Sequence, residues 1–439
     1  MSNFDTNKVT NMESVFNSCS ALSGINISNF DTGNVESMNS LFYQCQSLKS
    51  IEFGKNFNTE KVFDMENMFF NCFSLMSLDL SKFDTSSTTT ISQMFYSCSN
   101  LTVLDLRNFN TGEVTNFDYL FSECISLTSI DVSNFDLSKG VSMNKMFNGC
   151  SSLTSIDLSS FITSSITSMS GLFCGCESLT YIDLSGFDTS NVIRVDQMFD
   201  GCVSLTGVNL KSFETSSFKN IQYMFRNCKK LEYLDLYNFV IPGVKYIKGM
   251  FEGCQSLEML NILSISTEGV KDMSYVFAGC EKLTDLAFYF DTSFATTMSH
   301  MFDSCASLTS LVLTNFVTSE TKTFSFMFYN CTNLEFLDIS NFNTGKSDDM
   351  SYMFCGCSSL TELNLNSFNT AGVTTMTSMF ASCAELQYLD LTSFNTKKCT
   401  DFTDIFLDDK NLTIKVKQNI SDNLIEAAKK YKQVKILVE

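Results

Sequence analysis

The chain lacks several residues on which common function classes depend. Among its 439 residues it has no tryptophan, one proline and one histidine. A catalytic device that needs histidine could therefore use only His300, which we expect to be a surface residue without a role. No glycine-rich phosphate loop follows a predicted strand. We therefore expect a chain that is not an enzyme and that needs no cofactor.

Long apolar runs and an excess of positive charge are also absent. No segment approaches the roughly 20 apolar residues of a membrane-spanning helix, so no direct membrane insertion is predicted. Asp and Glu number 48 against 29 Lys and Arg, which gives a net charge of −19. Such a surface disfavours nucleic acid and anionic membranes as partners. The N-terminus does not resemble a signal peptide, although a truncated N-terminus would have lost one.

The sequence does contain a regular repeat. Cysteines recur at an almost constant interval of about 26 residues, which is within the range of periods that mark stacked repeats. They are Cys19, Cys45, Cys72, Cys98, Cys124, Cys150, Cys176, Cys202, Cys228, Cys254, Cys280, Cys305, Cys331, Cys357 and Cys383. A period of this length predicts one supersecondary unit stacked on copies of itself.

Each cysteine lies in a fixed frame. A leucine follows three residues later, and then apolar and polar residues alternate, as in Leu78, Asp79 and Leu80. This alternation is typical of a short strand with one buried face. Before each cysteine the apolar residues lie three or four apart, as at Met12 and Phe16, which predicts one or two helical turns. The predicted fold is an α/β repeat solenoid of about 15 coils, with a parallel β-sheet on one face and short helices or 3₁₀ turns on the other.

The unit at 146–171 resembles the 26-residue repeat of BspA-type leucine-rich-repeat bacterial surface proteins. Leu153, Ile156 and Leu158 occupy the strand positions of that repeat, and Phe161 takes the place that asparagine holds in common leucine-rich repeats. The resemblance implies a leucine-rich-repeat solenoid, at the cell surface or secreted, that serves adhesion or protein binding. It implies no catalytic residues.

Two domains are predicted. Residues 1–400 form the solenoid, whose N-terminal coil is incomplete because the chain opens in the middle of a coil. We expect a truncated N-terminus there; the alternative is that a neighbouring chain covers the open coil. Residues 401–439 are predicted to form a capping β-α-β segment, with strands at 412–416 and 434–438 and a helix at 421–431.

The repeat cysteines are predicted to be buried, reduced and unbridged. Equivalent side chains in parallel coils point in the same direction, which is poor geometry for a disulfide, and buried cysteine behaves as a small apolar residue. A disulfide ladder and a metal site are the alternatives. The two Cys-x-Cys pairs, at Cys174 with Cys176 and at Cys355 with Cys357, lack a histidine partner and the spacing of a zinc site, so no metal is expected.

The polar position between the apolar strand residues is mostly acidic. It reads Asn26, Glu52, Asp79, Asp105, Asp131, Asp157, Asp183, Asn209, Asp235, Asn261, Ala287, Val312, Asp338, Asn364 and Asp390. Mutual repulsion between neighbouring carboxylates should raise their pKa values or recruit cations. We favour the interpretation that each Asp bonds to neighbouring backbone or to Ser and Thr side chains in its coil; the alternative is a face that binds a cation or a basic partner.

Aromatic residues flank this row in the later coils, at Tyr181, Tyr233, Tyr237, Tyr289, Phe336 and Tyr388. Tyr233 and Tyr237 flank Asp235 at offsets of two residues, so the three are expected to leave one strand on the same face. The candidate partner-binding residues are Tyr181, Asp183, Tyr233, Asp235, Tyr237 and Tyr289. The repeat frame also drifts over 233–290, which either marks a binding zone or is neutral variation.

Two functions follow from these patterns. The first is a non-enzymatic surface-display or adhesion module that binds a protein or glycan ligand through the concave strand face. The alternative is a structural rod or self-assembling fibre subunit that stacks end to end, with self-association through the open N-terminal coil.

Overall fold

The structure is a computed structural model that describes residues 4–418, 420 and 422–439. The chain divides into two compact units, Met1–Ser217 and Phe218–Glu439. Each unit is a stack of parallel coils. The predicted solenoid fold is confirmed, with about 16 turns in the two units together and little helix. The proposed division at residue 400 stays a prediction.

In the first unit, four three-residue strands lie on one side of the coils. They are β1 (Ile25–Ile27), β2 (Ile51–Phe53), β3 (Tyr181–Asp183) and β4 (Gly207–Asn209). β1 pairs with β2 and β3 pairs with β4, both in parallel and in register one coil apart. The strands therefore run across the stacking direction and pair from coil to coil. Their side chains point alternately to the core and to solvent.

The second unit has the same pattern and adds a helix near the C-terminus. Its strands are β5 (Tyr233–Asp235), β6 (Met259–Asn261), β7 (Asp285–Ala287), β8 (Ser310–Val312), β9 (Phe336–Asp338), β10 (Tyr388–Asp390), β11 (Thr413–Val416) and β12 (Lys435–Val438), with α1 (Asp422–Lys429) between the last two. The parallel sheets have the orders β5-β6-β7, β8-β9 and β10-β11-β12. Residue 421, where the helix was predicted to begin, lies outside the described residues.

The segment before each cysteine forms consecutive β-turns, and the short helices or 3₁₀ turns expected there are not found in the described coils. Alternate N–H groups donate to carbonyls of the next coil, as from Phe117 to Ser142 at 3.0 Å and from Tyr119 to Asn144 at 2.8 Å. The N–H groups between them close local turns, as from Ser122 to the Tyr119 carbonyl at 3.1 Å. A helix would use all of these donors within itself, so the turns hold the coils together on this side as the strands do on the other. We call it the turn side.

Each of these turn segments contains two residues with positive φ, four positions apart. In one coil they are Tyr119 and Glu123, at 57° and 61°. Few side chains adopt this left-handed conformation readily. Glycine occupies the second position in several coils, as at Gly149 and Gly175. The turns therefore return the chain to the core every three or four residues, which is the spacing that resembled a helix.

The core consists of side-chain columns that run through the coils. The phenylalanine three residues before each cysteine stacks on its copy in the next coil, as Phe121 does on Phe147 at 5.6 Å between ring centroids. This distance is within the range of favourable aromatic pairs. Phe147, Cys150, Leu153 and Leu158 are buried, as predicted. Ile156 is only half-buried, although its copy Ile182 is 1% exposed.

Threonine closes the polar turn after each strand. Thr111 Oγ1 donates to the carbonyl oxygen of Asp136 at 2.9 Å and accepts the N–H of the same residue at 2.8 Å. Most coils repeat this reciprocal contact with the turn of the next coil, as Thr85 does with Asn110. Because one hydroxyl satisfies a donor and an acceptor, the buried turn leaves neither unpaired.

Candidate partner-binding surface on the strand side

The strand-end carboxylates bond to their own turns. Asp157 Oδ1 accepts the N–H of Ser159 at 2.9 Å, and Asp183 Oδ1 accepts that of Ser185 at 2.9 Å. The same contact is made wherever the row holds Asp or Asn, namely at Asn26, Asp79, Asp105, Asp131, Asp157, Asp183, Asn209, Asp235, Asn261, Asp338, Asn364 and Asp390. This local bond turns the chain at the end of each strand.

The expected rise in pKa is wrong for seven carboxylates of this row, whose pKa values are lowered, namely Asp79, Asp105, Asp131, Asp157, Asp183, Asp338 and Asp390. The hydrogen bonds from Ser185 lower the pKa of Asp183. Those from Ser133 lower the pKa of Asp131, although the like charge of Asp105 acts to raise it. Bonds from Arg107 lower the pKa of Asp105 to about 2. A donor aimed at the ionised form outweighs repulsion between carboxylates about 5 Å apart in water. The described residues contain no group of three or more His, Cys, Asp or Glu that could hold a metal ion.

Two candidate residues lie in the first unit, on β3. Tyr181 is 53% exposed, and its ring lies over Gly207 of the next coil, where an added Cβ would be 3.5 Å from Tyr181 Cδ2. Asp183 is exposed and also accepts a bond from Asn209 Nδ2 at 2.9 Å. Both side chains leave β3 on the solvent face, so this pair presents one ring beside one ionised carboxylate.

Four candidate residues lie in the second unit. Tyr233 and Asp235 are on β5, whereas Tyr237 lies in the turn that follows it and Tyr289 lies beyond β7. The prediction that Tyr233, Asp235 and Tyr237 share one strand is therefore wrong. The cause is the bond from the Tyr237 N–H to Asp235 Oδ1, at 3.0 Å, which ends the strand at Asp235.

Apolar neighbours that the sequence reasoning did not select extend this surface. Met259 pairs in register with Tyr233, and Leu263 occupies the position equivalent to Tyr237 in the next coil. The five residues Tyr233, Tyr237, Met259, Leu263 and Tyr289 are each at least half exposed, and we call them the tyrosine patch. The bond from Ser264 Oγ to the Tyr237 carbonyl, at 2.5 Å, joins the turns of two of its coils.

A second feature of the same side is a groove between β9 and β10. It is an open concavity of about 720 Å³ between Phe336 and Tyr388, and we call it the Phe336–Tyr388 groove. The coil between those two supplies Glu362, Asn364 and Asn366 to its lining. Both rings were recognised in the sequence as exposed aromatics, but neither was selected as a site residue. The sequence feature that could have indicated the groove is a pair of aromatic residues at equivalent positions two coils apart, with a polar coil between them.

The single histidine lies on the turn side and is part of a ring stack. His300 lies between Tyr275 and Phe326, with ring centroids 4.4 and 4.5 Å away. Its Nδ1 is 2.7 Å from Asp303 Oδ2, and about a fifth of its side chain is exposed. His300 is therefore not the free surface residue that was expected, and its contacts are those of a packed side chain.

The structure places all eighteen cysteines outside disulfides, and their reduced state stays a prediction. Cys150 Sγ donates to the carbonyl of Phe121 in the preceding coil at 3.1 Å, and Cys176 does the same to Phe147. Burial raises the pKa of both thiols well above the ordinary value. The column is thus a set of neutral, hydrogen-bonded thiols with low nucleophilicity. Cys19 is the exposed exception.

No helix among the residues that the structure describes is long and apolar enough to cross a membrane. A search of curated proteins finds no match to the chain. Similar solved structures include a leucine-rich repeat protein from Eubacterium ventriosum (16% identity, 78% of each chain covered, TM-score 0.36). A leucine-rich cell surface protein from Faecalibacterium prausnitzii has 15% identity over 94% of this chain and 83% of its own, with a TM-score of 0.32. The pneumococcal vaccine antigen PcpA has 13% identity over 95% and 79%, with a TM-score of 0.30.

A family match covers the repeat frame from end to end. The matched segments are 1–75, 51–156, 141–262, 245–346 and 331–436. They tile the chain with repeats of about 26 residues, which confirms the resemblance drawn from the unit at 146–171. The chain therefore belongs to the family described as "Mycoplasma protein of unknown function, DUF285".

Proposed function

We propose that the chain is a non-enzymatic interaction module that binds a protein or glycan partner through its strand side. The tyrosine patch is the observation that carries this proposal. Tyr233, Tyr237 and Tyr289 are 56%, 64% and 67% exposed, and an exposed patch of large side chains is more informative than any single exposed residue. Contiguous exposed apolar residues mark interaction sites, and tyrosine is enriched among residues that dominate binding energy.

Carboxylates supply polarity beside the rings. Asp235 uses Oδ1 to hold the turn at Tyr237, and its side chain is exposed. In the first unit, Tyr181 and Asp183 combine the same two chemical groups on β3. A ring that stacks on a sugar or fills an apolar pocket, beside a carboxylate that accepts a hydrogen bond, suits either class of partner.

The test compares three forms of the protein on arrays of glycans and of purified extracellular proteins. The forms are the wild type, the double variant Tyr233→Ala/Tyr237→Ala, and the control Tyr246→Ala. Tyr246 is a comparably exposed tyrosine, at 57%, on the turn side. We expect the double variant to lose about 30-fold or more in affinity for any ligand of the wild type, which corresponds to about 2 kcal/mol. Undiminished binding by the folded double variant, or an equal loss in the control, would reject the tyrosine patch as the site.

A cell-surface or secreted location is part of the proposal and rests on the resemblance found in the sequence. Protease treatment of intact cells of the source organism tests it, because an exposed chain is cleaved while an internal one is protected.

The alternative, a structural rod or self-assembling fibre, stays a prediction. Light scattering over a range of protein concentrations separates the two functions. A fibre subunit increases in molar mass with concentration, whereas an interaction module keeps the mass of one defined species.

A further inference from the structure

We infer that the Phe336–Tyr388 groove is a binding site for an arginine side chain of a partner protein. Glu362 receives the guanidinium, and the two rings pack against it. The inference rests on the proposed function in that it takes the strand side as the binding side. It concerns different coils from the tyrosine patch, and it names the chemistry of the ligand.

The groove places one carboxylate between two exposed rings. Phe336 and Tyr388 begin strands β9 and β10 at equivalent positions two coils apart, which places their backbones roughly 9–10 Å apart. Glu362 is at the equivalent position of the coil between them, so its side chain leaves the sheet between the two rings. A guanidinium would pair with this carboxylate in the open concavity of about 720 Å³ that all three side chains line. Both rings are about half exposed, at 46% and 47%, so each has a free surface to offer.

The charge of the groove selects a cation. Glu362 lies in the coil between the two rings, is exposed, and has no hydrogen-bond or ion-pair partner among the described residues. Asp338 and Asp390 line the same groove. Bonds from Ser340 lower the pKa of Asp338 and bonds from Thr392 lower that of Asp390, so both carboxylates are ionised at neutral pH.

One lysine pairs with Asp390 and with no other carboxylate of the groove among the described residues. Lys415 Nζ is 3.8 Å from Asp390 Oδ2, and it makes a closer ion pair with Glu439. The groove therefore keeps negative charge at Asp338 and at Glu362. A neutral ligand would gain nothing from this charge, whereas a cation gains directly from it.

Arginine fits better than lysine or a metal ion. Its planar guanidinium can stack on aromatic rings and can also form two parallel hydrogen bonds with one carboxylate. An ammonium is a compact point charge and has no planar face to pack against the flanking rings. No metal cluster is found among the described residues, and Asp338 and Asp390 each use one oxygen to hold their own turn.

The test uses the blocked tripeptide acetyl-Gly-Arg-Gly-amide as probe, with binding measured by saturation-transfer NMR titration on the full chain. We expect a dissociation constant on the order of millimolar, as is normal for one anchoring side chain. The citrulline analogue has nearly the same shape without the charge, and it should bind at least tenfold more weakly. The lysine analogue should also bind more weakly than the arginine peptide.

Variants locate the binding. Glu362→Gln should weaken the arginine probe at least tenfold, whereas the control Glu335→Gln, which removes an equal charge from the exposed residue before Phe336, should not. Phe336→Leu and Tyr388→Leu keep an apolar side chain and remove the ring, and each should weaken binding. Far-ultraviolet circular dichroism identical to that of the wild type checks the fold of each variant.

Three results would overturn the inference: no binding of the tripeptide up to about 10 mM, equal binding of the citrulline analogue, or equal losses in Glu362→Gln and Glu335→Gln. Methyl glycosides that bind in a manner lost in Phe336→Leu would identify the groove as a glycan site instead. If the tripeptide does not bind while binding of array ligands still depends on Tyr233 and Tyr237, the groove inference is rejected and the proposed function stands. If the tripeptide binds while those tyrosines have no effect, the tyrosine patch fails and the groove stands.

Discussion

Asp409 occupies the position of the repeat cysteine, one coil after Cys383, and its Oδ1 accepts the N–H of Cys383 at 2.9 Å. The carboxyl is 1% exposed. Its Oδ2 has no hydrogen-bond partner among the described residues. Burial raises the pKa of Asp409 to about 8, with a smaller contribution from the charge of Asp408. A neutral carboxylic acid thus ends the column of neutral thiols.

This relationship predicts that stability falls as the pH rises. The pKa of Asp409 is higher in the folded chain than its ordinary value of 3.8, so the folded state retains a proton that the unfolded state releases between about pH 4 and 8. The contribution of Asp409 to the free energy of unfolding is fully present below pH 4. It is lost as the pH rises through 8, and the total loss is about 6 kcal/mol at most. Urea unfolding followed by circular dichroism at pH 5 to 9 measures this slope.

Asp409→Asn is the matched control for that slope, because it retains the acceptor for the Cys383 N–H and cannot ionise. Its stability should vary less between pH 5 and 9 than that of the wild type. Equal slopes in the two proteins would assign the effect to other groups.

Restoring the repeat at this position should stabilise the chain. Asp409→Cys removes the desolvated carboxyl and places a thiol one coil below Cys383, whose Sγ donates to the Phe354 carbonyl at 3.2 Å. The carbonyl of Phe380 is the equivalent acceptor. Relief of an unsatisfied buried polar atom is worth about 1–3 kcal/mol, and the midpoint of urea unfolding at pH 7 should increase accordingly. A lower midpoint would indicate that the carboxyl makes a contact that a thiol cannot replace.

The strand-end bond predicts a difference between two substitutions of Asp79. Asp79 Oδ1 accepts the Ser81 N–H at 2.9 Å, and Asn makes the same bond at Asn26 and Asn364. Asp79→Asn should therefore be nearly neutral at pH 7, whereas Asp79→Ala should lose about 1 kcal/mol. Hydrogen bonds from Ser81 lower the pKa of Asp79, so the wild type should lose its advantage over the Ala variant as the pH falls below about 4. Equal stability of the Asn and Ala variants would contradict this role.

The parts of the fold that follow from side-chain alternation could be predicted from the sequence. Leu153 and Leu158 face the core and Asp157 faces solvent because strand residues alternate with a period of two. The turn side could not be predicted in the same way. Met12 and Phe16 have a spacing that helices share with consecutive turns, and the left-handed residues between them include Ser14. Neither Ser14 nor its counterpart Tyr119 in a later coil is among the residue types enriched at positive φ.

The candidate site could be predicted only in part from the sequence, for a related reason. The sequence identified the exposed tyrosines from their positions in the repeat. It did not predict the turn that ends β5 before Tyr237, because that turn depends on one hydrogen bond from the Tyr237 N–H to Asp235. The groove depends on Glu362 lying between two rings that belong to the coil before it and the coil after it. Such a site is defined by stacking, and no local pattern contains it.

Positive φ predicts unequal effects of two glycine substitutions. Gly175 has a φ of +72°, and an added Cβ would be 3.4 Å from Gly149 Cα and N. Gly175→Ala should destabilise the chain by about 1–2 kcal/mol, because an L side chain is strained in this conformation. Gly33 has no positive φ, and its nearest contact would be Asp31 Oδ1 at 3.4 Å. Gly33→Ala should therefore change stability by about 0.5 kcal/mol or less, as is usual for a surface substitution without strain. Equal losses in the two variants, measured by urea unfolding, would reject conformational strain as the cause.

Thiol reactivity should follow burial along the chain. Cys19 is exposed, Cys174 and Cys355 are half-buried, and the other fifteen cysteines are buried. Burial raises the pKa of Cys355 to about 11, and the buried thiols of the column donate hydrogen bonds to carbonyls, as Cys150 does. Because the thiolate is the reactive form, Ellman's reagent at pH 8 should modify Cys19 quickly in the native chain, Cys174 and Cys355 slowly, and the remainder only after denaturation. Complete denaturation without reductant should release all eighteen thiols. A smaller number would show that disulfides form within the column, and early modification of many thiols in the native chain would show that the coils open far more often than a continuous core allows.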